Sequence, residues 1–213
     1  MLTKAGDALE AAFETWNNKR HWNFTRASYG FQTVAPFTVD SCTTTAEGPG
    51  VTCASLSTVA AGDLIVGTGI QSGAFVVSVD TGSTPNQLVM SVPATASGTV
   101  TLTFYRRDYA APSDFKFFYN VKDHTNNRII YPVDSRLHDR LNTSQVGVDA
   151  PLFYDPHPMG AAGKMRLLPT PSSRFSLEAK YYRRLTVPST DGTALDIPID
   201  FEWGIMAEAK AIF

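Results

Sequence analysis

Thr99-Val-Thr-Leu-Thr-Phe-Tyr105 alternates threonine with Val100, Leu102 and Phe104, the period-two pattern of a strand with one wet and one dry face. Outward from it, the chain runs from Ala27 to Tyr105, 79 residues, without a Lys or Arg. Thr, Ser, Val, Ala and Gly dominate there, with four acids, Asp40, Glu47, Asp63 and Asp80. All 18 basic residues and the other 16 acids lie outside, so an acidic stretch and a weakly basic remainder hide beneath an overall charge of −2. The abrupt change at both edges predicts two modules: a core from residues 1–33 and 106–213, and an inserted all-β, sandwich-like domain over 34–105. Six strands are predicted in the insert, Phe37–Cys42, Val51–Leu56, Asp63–Val66, Ala74–Asp80, Gln87–Val92 and Thr99–Tyr105, separated by Gly-, Pro- and Asn-rich breaks.

The core reads as α+β, a helical body with a β-hairpin or sheet. Leu9, Phe13 and Trp16 recur at spacings of four and three and predict a helix over 3–22. Phe117–Val121 and Ile129–Pro132 read as extended, and 135–141 as a short helix. Lys164–Leu168, a Pro169-Thr-Pro171-Ser-Ser turn and Phe175–Arg183 read as a hairpin, with Phe175, Leu177, Ala179 and Tyr181 on one face. Asp191-Gly192 is a turn signal, and Phe201–Phe213 reads as a closing helix with Ile205, Ala209 and Ile212 together. That helix reaches the last residue without a stop signal, which leaves room for a longer natural chain.

No run approaches the ~18–20 apolar residues of a membrane span, and the first residues lack an apolar signal region, so the expected compartment is a cytoplasm and no membrane partner is expected. Near-zero net charge argues against a surface that grips DNA. Cys42 and Cys53 flank a possible hairpin connection; a disulfide between them and a pair of free thiols are both open. Asp123-His124 and His138-Asp139 pair acid with imidazole, but strand neighbours point to opposite faces, and His21 and His157 stand apart. Gly67-Thr-Gly69-Ile-Gln-Ser-Gly73 is followed by no helix to hold a phosphate, so its glycines read as a turn. Asp63 and Asp80 lack the dense acidic spacing of a calcium loop. No catalytic, cofactor or metal residue is therefore expected.

Arg106-Arg107 and Tyr181-Tyr182-Arg183-Arg184 are the strongest basic clusters, each joining Arg to a nearby Tyr, a pairing enriched at interfaces. With Trp16, Trp22 and Trp203 they form the expected set of subunit or partner contacts, the tryptophans also being simple candidates for helix packing.

The order of elements outside the insert carries a resemblance. Trp22-Asn-Phe24, Tyr109-Ala-Ala-Pro-Ser-Asp-Phe115, Pro151-Leu-Phe-Tyr154, Arg166-Leu-Leu-Pro-Thr-Pro171, Leu177-Glu-Ala-Lys-Tyr-Tyr-Arg183 and Leu195-Asp-Ile-Pro198 before a closing helix are similar to the head-to-tail adaptor (connector) proteins of tailed bacteriophages, including the tail-tube-A-like proteins of short-tailed phages. Ala61–Val79 and Leu88–Ser97 look like a β-repeat of phage structural proteins. The resemblance implies a structural, non-enzymatic virion protein at the neck. It implies a homo-oligomeric ring of twelve copies between the portal protein and a tail or nozzle protein, through which double-stranded DNA passes without sequence-specific binding. The alternative is a binding module, whose insert recognises a capsid, a fibre or a host carbohydrate. A virion glycosidase built on Asp123 and Asp139 ranks behind both.

Overall fold

Helix α1 (Leu2–Lys19) follows the expected stripe, burying Ala8, Ala12, Phe13 and Trp16. The computed structural model describes residues 2–19, 22–133, 148–155, 163–185 and 197–212. After a 3-10 turn at Asn23–Thr25 come β1 (Arg26–Gln32), β2 (Phe37–Thr44), β3 (Gly50–Cys53), β4 (Leu64–Val66), β5 (Val76–Asp80), β6 (Asn86–Met90) and β7 (Gly98–Tyr105). The six strands from β2 to β7 form one sheet in the order β4-β7-β2-β3-β6-β5.

The expected sandwich is corrected here. One sheet curls on itself instead of two packing face to face: Leu64 in β4 bridges Phe75, just before β5, and Ile65 N–H donates to the Ala74 carbonyl at 2.9 Å. Register shifts in β2, between Val39 and Cys42, and in β5, between Val76 and Ser78, supply the bends that a curled sheet needs. The alternation of Val100, Leu102 and Phe104 turns those side chains towards a core of Cys42, Val51, Leu56, Ile65, Leu88 and Met90.

The second half adds β8 (Asp108–Ala110), β9 (Phe115–Asp123), β10 (Arg128–Pro132), β11 (Val148–Asp149), β12 (Phe153–Tyr154), β13 (Lys164–Leu168), β14 (Thr170–Pro171), β15 (Ser176–Arg183) and α2 (Ile199–Ile212). Seven strands pair in the order β1-β15-β9-β10-β12-β13-β8, and β11 pairs in parallel with β14. The expected 164–183 hairpin does not form, because β13 lies between β12 and β8 while β15 lies between β1 and β9. The proline-rich stretch read as its turn is instead a short strand, Thr170–Pro171, paired to Val148–Asp149. The face assigned to β15 stands, with Leu177, Ala179 and Tyr181 buried.

The α+β class with a helical body is therefore overturned. Among the described residues there are two α-helices and fifteen strands, with more than twice as many residues in strands as in helices. The sequence pattern located the helices; what it hid was how many short, separated segments would find strand partners far along the chain. The helix expected over 135–141 and the turn at Asp191-Gly192 lie outside the described residues. The chain divides into two compact units, one of Met1–Tyr29, Pro112–Tyr119 and Ala179–Phe213, the other of Gly30–Ala111 and Asn120–Glu178.

Candidate interaction surfaces

Within the first unit, α1 and α2 meet through aromatic rings. Trp16 is 9% exposed, stacks on Trp22 at 4.9 Å and meets the Phe201 ring edge-on at 6.2 Å. Its indole Nε1 donates to Glu208 at 2.7 Å, and Lys19 Nζ donates to both oxygens of that carboxylate at 2.8 Å. These two donors hold the Glu208 carboxyl below its ordinary range. Gly204 gives Trp16 room, since a Cβ there would meet the ring at 2.6 Å. Trp16 is thus buried and Trp22 packs partly buried against it, whereas Trp203 is 72% exposed. The face of α2 differs from the expected one: Ile205 is fully buried and Phe201 and Ala209 pack beside it, but Ile212 is half exposed.

Arg106 and Arg107 turn into the second unit. Arg106 makes a two-pronged ion pair with Asp63, Nε to Oδ1 at 3.1 Å and Nη2 to Oδ2 at 3.0 Å, and also donates to the Thr58 carbonyl at 2.6 Å. Asp63 is 2% exposed, so the aspartate weighed as a calcium ligand serves an arginine instead. Arg107 is buried, donates to the Gly62 carbonyl at 2.9 Å and lies 5.0 Å above the Phe75 ring. Burial, and then the neighbouring Arg166, lower its guanidinium to about 10. Arg166 grips Asp108 with bonds of 2.6 and 2.8 Å. The Tyr109 hydroxyl donates to the Arg106 carbonyl and accepts from Val34 N–H, so both ends of the 34–105 stretch meet at one side chain. Burial pushes the Tyr109 phenol up to about 12.

The run from Tyr181 to Arg184 separates by strand alternation. Tyr181 is buried, donates to Asp114 at 2.9 Å and is pushed up to about 12, mainly by desolvation. Tyr182 faces outward in a set that sequence reading missed: Arg26 Cζ lies 5.6 Å from the Tyr119 ring and 5.7 Å from that of Tyr182, whose rings are 5.0 Å apart. Arg26, Tyr182 and Tyr119 sit on the adjacent strands β1, β15 and β9, a proximity that no sequence spacing signals. Arg183 is partly buried. Arg184 is exposed and lines a cleft of about 440 Å³ beside α1, together with Lys116, Glu10 and Glu14 and with Phe13 and Leu185 among its apolar walls.

The chemical candidates disperse. Asp123 is fully buried and accepts from Thr125 N–H, Asn126 N–H and Asn126 Nδ2, while His124 turns away to Glu178 at 2.9 Å. His21, His138, Asp139 and His157 lie outside the described residues. Gly67 begins a turn closed by Ile70 N–H on its carbonyl. Cys42 and Cys53 face each other across β2 and β3 with sulfurs at bonding distance and Cα atoms 4.3 Å apart. Among the described residues no cluster of three or more His, Cys, Asp or Glu could hold a metal ion, and no helix is long and apolar enough to cross a membrane.

No curated protein matches the chain. The family model of the SU10 adaptor protein matches residues 75–213, well over half of the sequence. The match begins just before β5, inside the stretch read as an insertion, and it supports the adaptor resemblance without extending to the tail-tube-A-like proteins or to an inserted domain. With the match covering well over half of its length, the chain belongs to the SU10 adaptor protein family and is a structural phage adaptor, a component of the virion.

Proposed function

We propose that this adaptor works as a closed ring of twelve identical copies at the neck of the virion, joining the portal to a tail or nozzle protein around the DNA path, with residues 34–105 as an inserted β-domain on the outside. The observation that carries the reading is the outer face of α2. A helix that has already buried Ile205 and packed Phe201 beside it keeps Trp203 72% exposed and Met206 43% exposed. Large apolar side chains side by side in water favour a partner surface. In a structural adaptor the nearest source of such a surface is the next copy, and a contact that repeats head to tail closes into a ring. Tyr182, Arg183, Arg184 and Trp203 are then contact residues, while Trp16, Trp22, Arg106, Arg107 and Tyr181 act from beneath the surface. The overall charge of −2 suits a channel through which DNA slides. The Tyr109 junction, which holds Val34 close to Arg106, supports the insertion reading.

Purified protein mixed with portal rings and imaged by electron microscopy tests this reading: an added twelvefold layer is expected, and a protein missing from the necks of finished particles would sink it. A second reading has its own observation. Val77 and Val89, 51% and 40% exposed, sit on the neighbouring strands β5 and β6 and give the 34–105 module an apolar outer patch. If deletion of residues 34–105 leaves rings intact but abolishes particle attachment to cells, that module recognises a capsid, fibre or host-surface ligand.

A further inference from the structure

Resting on the ring reading above, we infer that the joint between neighbouring copies is the outer face of α2 from one copy laid antiparallel into the α1 cleft of the next, with Trp203 entering the Arg184–Lys116 end and Lys210 reaching Glu10. Both surfaces belong to the same compact unit. Glu10, Phe13, Glu14 and Asn17 occupy positions i, i+3, i+4 and i+7 of α1, so they form one stripe along the cleft. The stripe is acidic at Glu10 and Glu14; at its Asn17 end it is cationic, because Lys116 donates to the Asn17 carbonyl and Leu185, next to Arg184, is hydrogen-bonded to the Asn17 side chain.

The α2 face is complementary in order as well as in charge. Trp203, Met206, Ala207 and Lys210 lie on one side of the helix, opposite the buried Ile205, and Lys210 is its basic residue near the C-terminus. Trp203 and Lys210 are seven residues apart, about 10.5 Å along a helix, and Asn17 and Glu10 have the same separation. Only an antiparallel approach puts the ammonium against the carboxylates and the indole against the cations at once. The indole face attracts a guanidinium or ammonium. Lys116 donates to the Asn17 carbonyl, which holds a cation at the end of the stripe that the indole face would meet. Because the two surfaces differ, the contact is heterologous, the kind that closes a ring rather than a twofold dimer.

Cysteines at Glu14 and Ala207, which the antiparallel pairing brings together while Trp203 stays in place, test the joint, both positions being exposed enough for substitution to spare the fold. In rings assembled on portal, mild oxidation of the E14C/A207C variant should give a ladder of covalent multimers, whereas E14C and A207C alone should not. Trp203→Ala should weaken ring formation at least tenfold. Glu10→Lys and Lys210→Glu should each weaken it, and the two together should restore it. Rings that form normally with Trp203→Ala and yield no ladder would overturn this joint while leaving the ring reading standing; wild-type protein that makes no ring with portal would instead overturn the ring reading. Cross-linking of A207C to portal would show that portal, not a second copy, covers α2, and would overturn the proposal.

Discussion

Replacing Arg106 by alanine asks whether the strongest basic cluster works inside the molecule or outside it. In the structure Asp63 is 2% exposed and accepts three hydrogen bonds, from Ala60 N–H at 2.9 Å and from two nitrogens of Arg106. Truncating Arg106 leaves a buried carboxylate with the backbone bond alone and also strips the Thr58 carbonyl of its 2.6 Å donor. Breaking a buried pair by removing one partner costs about 3–5 kcal/mol. The Arg106 side chain is itself about a quarter exposed, at 24%, so water recovers part of the loss and the low end, about 3 kcal/mol, is expected. For a chain of this length that is a fall in Tm of about 6–12 °C. Circular dichroism melting gives the number, and hydrogen exchange over residues 58–66 shows whether the loss is local to β4. The double variant D63A/R106A should recover part of the loss, because no charge is then stranded. A variant whose Tm stays within a degree or so of wild type, while ring assembly fails, would refute the internal reading and return Arg106 to the outer surface.

Gly204→Ala should lower stability by about 1–3 kcal/mol, because the added methyl drives into the Trp16 ring at 2.6 Å and overpacking outweighs the gain in helix propensity; a thermal melt decides it. Joining Cys42 to Cys53, 11 residues apart, restricts the unfolded chain by about 3 kcal/mol, so the C42S/C53S variant should show a lower denaturant midpoint with the curled sheet retained. Tyr109 and Tyr181 are raised above their unfolded value of 10 to about 12, so the stability they contribute is complete below pH 10 and is lost as pH rises through about 12. Ultraviolet phenolate absorption should therefore show part of the tyrosine set ionising late, together with unfolding. Glu208 is lowered below 4.5 by Lys19 and Trp16, so its tie between α1 and α2 is present above pH 4.5 and weakens as pH falls below it. Trp fluorescence in acid, compared with Glu208→Gln, measures that loss.

Much of the local structure was legible because it is written in neighbouring residues. The spacing of Leu9, Phe13 and Trp16 fixed α1, and the alternation of Val100, Leu102 and Phe104 fixed β7 and the side it buries, since the helix and strand repeats need no distant partner to show. The Gly-, Pro- and Asn-rich breaks likewise separated β2 from β3 and β5 from β6. Strand partnership was beyond such reading: Lys164–Leu168 and Ser176–Arg183 look like a hairpin at short range, yet their partners come from Asp108–Ala110, Phe153–Tyr154, Arg26–Gln32 and Phe115–Asp123. The same holds for the surfaces. Composition gathered Arg106, Arg107 and the Tyr181–Arg184 run as one kind of residue; only tertiary contacts sent Arg106 to a buried aspartate, Tyr181 to Asp114, and Arg26 to lie beside Tyr119 and Tyr182. A side chain's type sets which interactions it can make, but burial and the nearest opposite charge choose among them, and both depend on residues far away in the chain.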